Sequence, residues 1–507
     1  METRPLILRQ PHLLVAGASG LLTLLGTRSG IGISWDSTDY IAVGLSMAEG
    51  RGALDVTGQP MVIRPPGLSA LVTLGDWLSL SPDTALRIVN AIAMVFIVWG
   101  THQLLERVAV RQAAKWIGVV LVALGPALFD VFTMAWSEPP FIALVLCCLL
   151  IATRERTWPW EFLLIGAFSA LFFVRYVGPF FAAPLALIAA IVQSRSSGFV
   201  VAFLRSASVL ATSLVLPWLW LMRNKDLSGY LTGYREPGGG SLFEPLKTFT
   251  GTLGSWVIGR APLDGNGGIY LNWNDHSVYM QGAGILLWLA ISALSLGFFL
   301  STSRTRNQNI IVSACIGLVV FYGAFSVYRF VYAEMGPLDS RMMIGLYVPI
   351  VITLVVCADH ISRSLHGNAA RVSTKTIVAL SLFVVAWHGV TTSSNLADYG
   401  SNGRYWGTEF HRTVPIHQFA ANLPKDVALY SNEPQSLFAA TFHWPIRNQY
   451  QWDRPLLVPC SRRYFVWFNQ SFLPDGKPVG ADVVYEDSWG QVLDLGDCSD
   501  DIARYWP

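Results

Sequence analysis

The residues best placed to do chemistry come early in the chain: Trp35-Asp36-Ser37-Thr38-Asp39-Tyr40, followed further on by Arg64-Pro65-Pro66-Gly67. Two carboxylates just past the end of a long apolar stretch mark a functional site by default, because an ionisable pair at a membrane boundary is costly. Asp36, beside Trp35 at the membrane surface, can serve as a general base that deprotonates a hydroxyl. Asp39 is the second candidate; three residues on, it would share a helical face with Asp36, or it would cap a helix beginning at Tyr40. Arg64 precedes a turn that fixes its backbone, which suits two-pronged phosphate binding, although a snorkelling arginine would look the same.

Further along, Ser137-Glu138-Pro139-Pro140 opens another apolar stretch. Ser137 reads as a cap and Glu138 as a complement to the helix dipole, with an active-site supporting role for Glu138 as the alternative. Arg175-Tyr176 separates two apolar stretches, and Arg341 lies in Asp339-Ser340-Arg341 at the start of a third. Arginines on the face that carries the acidic loop point to an anionic ligand such as a lipid phosphate, or else to membrane anchors. His276 lies in a long aromatic loop that includes Trp256, Tyr270, Trp273 and Tyr279. Such a loop serves sugar stacking or an interfacial belt.

The elements that must position these residues are membrane spans. Of 507 residues, 52% are hydrophobic and only 13% charged, against roughly a quarter charged in soluble chains. The composition predicts an α-helical polytopic membrane protein. Apolar stretches near the length a bilayer requires fall at 12–33, 85–105, 116–134, 138–153, 160–174, 177–193, 200–222, 282–300, 310–331, 342–358 and 376–392, about 11 transmembrane helices. Arg4 and Arg9, Arg107, Arg111 and Lys115, Arg154 and Arg156, Arg195, Arg304 and Arg306, and Arg363, Arg371 and Lys375 all fall in loops on one side of that arrangement. By the positive-inside rule the N-terminus is cytoplasmic and the acidic loop, long loops and C-terminus are extracytoplasmic. A bacterial inner membrane fits this pattern. The arginines are scattered rather than gathered on one face, which excludes nucleic acid as a partner.

Two domains follow: residues 1–392 span the membrane and 393–507 form an extracytoplasmic module of short apolar runs and turns, read as small α/β. The first outer loop, 35–84, holds two short stretches, Tyr40–Glu49 and Pro66–Leu80, read as helices lying in the membrane interface. The second, 223–281, is glycine-rich in two places and reads as a flexible lid with some order. Cys460 and Cys498 share the oxidised outer module and are candidates for a disulfide; Cys147, Cys148, Cys315 and Cys357 read as core residues.

No His-x-x-x-His or clustered Cys/His spacing marks a metal, so no metal ligand is assigned, although Asp36, Asp39 and Glu138 could together hold a divalent cation. No nucleotide-binding fingerprint is present. The order of motifs resembles the GT-C membrane glycosyltransferases: the acidic motif, then Tyr40-Ile-Ala-x-Gly-Leu-Ser-Met-Ala-Glu-Gly50, Arg64-Pro-Pro-Gly67, Ser137-Glu138-Pro139, Arg175-Tyr176 and Ser340-Arg341. It is closest in kind to the protein O-mannosyltransferase-like and aminoarabinose transferase-like branch, over roughly residues 1–360. The resemblance implies inverting transfer of a sugar from a polyprenyl-phosphate donor to an acceptor hydroxyl on a lipid, glycan or protein. Asp36 would then be the base, with Asp39 in reserve, and Arg64, Arg175, Tyr176 and Arg341 would bind the donor phosphate. Two departures stand out: the family often has Asp-Glu where this chain has Asp36-Ser37, and Tyr commonly follows the arginine where Met342 stands. An oligosaccharide ligase or polymerase, and a non-catalytic lipid-linked-sugar transporter, are the alternatives.

Overall fold

The computed structural model describes residues 10–154, 157–235, 242–258, 278–332, 340–365, 367–451, 460–469, 477–499 and 505. The helices are α1 (Pro11–Gly26), α2 (Trp35–Ala48), α3 (Gly67–Trp77), α4 (Pro82–Arg107), α5 (Gln112–Ala123), α6 (Pro126–Phe132), α7 (Glu138–Ala152), α8 (Trp158–Val174), α9 (Gly178–Ser197) and α10 (Phe199–Ser213). There follow α11 (Val215–Ser228), α12 (Phe243–Ile258), α13 (Val278–Leu300), α14 (Arg306–Tyr332), α15 (Ser340–Met343), α16 (Tyr347–Ser364) and α17 (Gly367–Asn402). Among the described residues, eight helical segments are long and apolar enough to cross a membrane, and α1, α7 and α8 are shorter apolar helices. The first of these stops at Gly26, well before residue 33, and the chain then turns through 27–34 toward the site.

One end of the bundle is pinned by basic residues. Arg111 and Arg363 both pair with the buried carboxylate of Asp359, and Arg107 donates to the carbonyl of Leu150 at 2.8 Å. Glu138 begins α7 whereas Leu150 lies near its end, so the candidate residues occupy the opposite end of the bundle.

Helix α17 has 36 residues, roughly 54 Å at 1.5 Å per residue, longer than a bilayer core is thick. It runs straight through residue 392 and delivers the chain to the C-terminal module. That module comprises α18 (Glu409–Thr413), α19 (Pro415–Ala421), β1 (Ala428–Ser431), α20 (Pro434–Thr441), β2 (Ile446–Asn448), β3 (Arg462–Phe468), β4 (Asp482–Glu486) and β5 (Gly490–Asp497). The five strands form one sheet in the order β2-β1-β3-β5-β4, parallel between β1 and its neighbours and antiparallel beyond β3. Cys460 and Cys498 are joined by a disulfide with their Cα atoms 5.8 Å apart.

The module and the first loop share one core. Ile33, Tyr40, Ile41 and Leu68 from the loop pack with Ile416, Leu437, Phe438 and Ile446 from the module. Helix α2 is consequently buried through most of its length rather than lying in an interface. Its partner α3 approaches closely at Gly44, where a Cβ would stand 2.6 Å from the Cβ of Val72, so only glycine admits this contact. The order expected within the second loop is the helix α12, residues 243–258, with Trp256 buried; the two glycine-rich stretches that flank it lie outside the described residues. His276 lies outside the described residues.

Candidate active site

The lead-in to the acidic pair is clamped from two sides. The Gly32 amide donates to the Thr133 carbonyl at 2.8 Å, the Ala135 amide returns to Gly32, and the Trp406 amide donates to Ile33 at 3.0 Å. Arg404, buried and paired with Asp130, holds the Trp406 segment against α6 by a bond from its Nη1 to the Thr133 hydroxyl at 2.8 Å. Helix α2 then starts at Trp35. Ser34 caps it, its amide donating to the Ser37 hydroxyl at 3.0 Å and its own hydroxyl lying 3.2 Å from that of Ser37. The cap is thus Ser34, not Asp39, and the departure from Asp-Glu at Ser37 has a local reason: its hydroxyl closes the capping box. Asp36 sits in the first turn, where the helix dipole favours an anion. Asp39 lies about one turn further along the same face.

The arginines arrive from three other elements. Arg64 stands before Pro65-Pro66, which delay helix formation until Gly67. Gly67 packs onto the end of α8: a Cβ there would lie 2.5 Å from the Phe173 carbonyl oxygen and 2.8 Å from the Val174 nitrogen. Gly67→Ala should therefore displace Arg64 and cost about 1–3 kcal/mol of stability, read as a lowered melting temperature. An unchanged melting temperature would show that the close approach is dispensable. Arg175 caps the end of α8 and Arg341 is the second residue of the short α15.

Together they form one continuous network. Arg64 bridges Asp36 and Asp39, one guanidinium nitrogen to each. Arg341 reaches the other oxygen of Asp36 and places its Nε 2.8 Å from Glu138 Oε1. Arg175 pairs with the same Glu138 oxygen. Aromatic faces back each cation: Trp136 lies 4.6 Å from the Arg341 guanidinium, Phe141 5.8 Å from that of Arg175 and Tyr40 5.9 Å from that of Arg64. The Tyr40 hydroxyl donates to Ser137 at 3.2 Å and the Trp136 indole donates to Ser34 at 2.7 Å, tying α2 to the start of α7. Ser137 therefore bonds Tyr40 and makes no side-chain cap to α7, and Glu138, in the first turn of α7 where it complements the dipole, is also an ion-pair partner. Tyr40 belongs to a motif that assigns it no role at the site, and Trp136 and Phe141 carry no motif of their own; only their nearness to Asp39 and Glu138 in the chain hinted at one.

Tyr176 plays a different part. Its hydroxyl donates to the Val62 carbonyl at 2.9 Å and accepts from Trp220 at 3.0 Å and Asn224 at 2.9 Å. With its hydroxyl so committed, it anchors the Arg64 loop to α11 rather than offering a group to a ligand. Met342, where the resembling family has Tyr, places its sulfur 3.8 Å from Arg175 Nη2.

The two aspartates differ electrostatically. Burial alone would raise the Asp36 carboxyl, but Arg341 and Arg64 overcome it and hold Asp36 well below the usual carboxylate range. Burial raises Asp39 to about 7; Arg64 opposes this only in part, and the nearby Asp55 and Asp36 carboxylates reinforce it. Asp36 is also the more accessible, its side chain 25% exposed against 10% for Asp39. Because the folded pKa of Asp39 is raised, its neutral form favours the fold. That contribution is complete below about pH 3.9 and is lost as pH rises through about 7. Asp39→Asn should therefore flatten the decline of the melting temperature between those limits. A decline as steep as in the parent protein would overturn the assignment.

Among the described residues, no group of three or more His, Cys, Asp or Glu side chains is placed to hold a metal ion. Asp36, Asp39 and Glu138 each face guanidinium groups, which a divalent cation would have to displace. A separate cavity of about 420 Å³ runs between α5, α12, α13, α16 and α17, walled mainly by aliphatic side chains. It meets the site at Trp256, whose indole donates to the hydroxyl of Ser340 at 3.3 Å.

No protein-family model matches the chain, and no curated protein sequence matches it. Solved structures do. ArnT from Cupriavidus metallidurans, both in the apo state and bound to undecaprenyl phosphate, superimposes with a TM-score of 0.60 at 13% identity, covering 95% of this chain and 97% of that one. The arabinofuranosyltransferase AftD from Mycobacteria gives 0.51 at 14% identity, over 96% of this chain and 40% of its own. At such identities the likeness is one of fold: the chain is a helical membrane protein with the GT-C fold and a small C-terminal sheet.

Proposed function

We propose that the protein is an inverting glycosyltransferase that moves a sugar from a polyprenyl-phosphate donor to an acceptor hydroxyl at the extracytoplasmic face of a bacterial inner membrane. The observation that carries this reading is the shared carboxylate Asp36, held between Arg64 and Arg341 at the accessible edge of a buried ion network. Its setting on a GT-C scaffold, one of whose solved examples binds undecaprenyl phosphate, supports a lipid-phosphate partner. Sidedness is inferred from the basic end of the bundle, which lies opposite the site.

In this mechanism the donor phosphate competes with Asp36 for Arg64 and Arg341. A bidentate guanidinium–phosphate pair is a favourable exchange. Once those guanidiniums hold phosphate, Asp36 loses the partners that depress its carboxyl, and its proton affinity rises toward that of an effective base. Asp36 then takes the proton of the acceptor hydroxyl as its oxygen bonds to the anomeric carbon. The bond from that carbon to the phosphate oxygen breaks, the phosphate leaves with the electron pair, and the arginines stabilise the charge it gains. Glu138 holds Arg341 and Arg175 in place, and Asp39 holds Arg64.

The test is reconstitution of the full-length protein with polyprenyl-phosphate sugars extracted from its host envelope. Release of polyprenyl phosphate together with a product of inverted anomeric configuration is expected. Retention of configuration, or transport of the intact donor without its consumption, would contradict the reading.

A further inference from the structure

The ion network sets three guanidiniums, Arg64, Arg175 and Arg341, against three carboxylates, Asp36, Asp39 and Glu138, and is balanced once Asp39 is ionised. A phosphate brought into it would leave an excess of negative charge in a buried setting, which is costly unless further cations stand by. We propose that Arg235 and Arg329, at the mouth of the network, supply that charge and receive the phosphate group of a lipid ligand. The inference rests on the reading that this site takes a lipid-linked phosphate.

Position comes first. Gly229 ends α11 in a left-handed conformation, and Asn224 of α11 donates to the carbonyl of Leu231 at 3.0 Å and to Tyr176 at 2.9 Å. Gly233 then packs on the Arg64 loop so tightly that a Cβ would lie 2.7 Å from Ile63 Cγ1. Arg235, two residues on, interacts electrostatically with Arg64 and Asp36 as well as with Arg329. Arg329 comes from the other side. Tyr322 of α14 donates its hydroxyl to the carbonyl of Met342, next to Arg341. Arg329 lies seven residues further along α14, about two turns, so it sits on the same face above that contact.

Charge comes second. Neither Arg235 nor Arg329 forms an ion pair among the described residues. Arg235 is exposed and Arg329 half-buried, and each stands near another cation. Its partly desolvated setting first, then Arg329 and Arg64, lower the proton affinity of Arg235, and the opposing pull of Tyr176 and Asp36 does not offset them. Such an arrangement draws an anion from solution or from the membrane surface. The shared ligand chemistry is a phosphate ester on a lipid, either the polyprenyl phosphate or the headgroup of an anionic phospholipid; the network beside it favours the first.

The experiment uses the full-length protein in phosphatidylcholine nanodiscs and undecaprenyl phosphate as the probe. The double variant Arg235→Gln, Arg329→Gln should bind it about tenfold to a hundredfold more weakly than the parent, with a smaller dependence of affinity on salt. The corresponding double lysine variant should keep much of the affinity. Neither arginine forms an ion pair among the described residues, so the glutamine variant should melt as the parent does, and a matching melting temperature shows that the loss is not unfolding. Unchanged affinity in a parent protein that binds the probe would overturn this inference alone. Failure of the parent itself to bind would overturn it together with the proposed function. In nanodiscs containing phosphatidylglycerol, a defect confined to retention of that lipid would assign the pair to headgroup anchoring and overturn the inference as well.

Discussion

Asp36→Asn is expected to lower sugar transfer by about two to four orders of magnitude, the usual contribution of a positioned general base, while polyprenyl-phosphate binding is retained. The substitution keeps the size of the side chain and its place in the first turn of α2. It removes the charge that both Arg64 and Arg341 face, so donor phosphate meets less competition for those guanidiniums. Binding should hold or tighten as turnover collapses, and that split separates a lost base from a lost donor site. Asp39→Asn should behave differently. Asp39 is the more buried of the two and already gains a proton near pH 7, so at neutral pH its replacement should leave measurable transfer. Equal loss in the two variants would shift the base assignment to Asp39 or to the pair acting together.

The second large effect is expected at Glu138. It is 1% exposed and shares a single oxygen between Arg175 and Arg341. Glu138→Gln leaves two guanidiniums without their carboxylate, and removing one partner of a buried ion pair costs about 3–5 kcal/mol. The melting temperature should fall steeply, and transfer should be lost with it. Adding Arg175→Met should recover part of the stability by removing one of the stranded charges, without restoring transfer. If the single variant melts like the parent, the Glu138 pairs are not structural supports of the site. If the double variant is no more stable than the single, the cost lies elsewhere in the core.

Much of this was legible in the sequence because the decisive signals are local. The apolar stretches emerged from composition, and Asp36, Arg64, Glu138, Arg175 and Arg341 stood out because charge at the end of an apolar run has few bland explanations. What stayed hidden depends on contacts between distant segments. Asp39 shares a helical face with Asp36 as one of its two readings has it and caps no helix; that Arg64 holds it follows from a turn at Pro65-Pro66 whose direction is set by Gly67 against α8. The burial of α2 follows from the C-terminal module, whose Ile416 and Phe438, nearly four hundred residues away in the chain, join Ile41 in one core. The resemblance makes Tyr176 a ligand contact together with Arg175; its hydroxyl instead reaches Val62, Trp220 and Asn224. Arg235, in a glycine-rich stretch, carried no signal until Gly233 was seen to seat that segment on Ile63.

The most direct test of the central claim is mass spectrometry of lipid-linked sugars in a strain lacking this protein. A polyprenyl-phosphate sugar should accumulate there, return to its ordinary level when the parent protein is supplied, and remain high when Asp36→Asn is supplied at equal abundance in the membrane. A strain that accumulates no such lipid, or an Asp36→Asn protein that clears it as the parent does, would contradict the account.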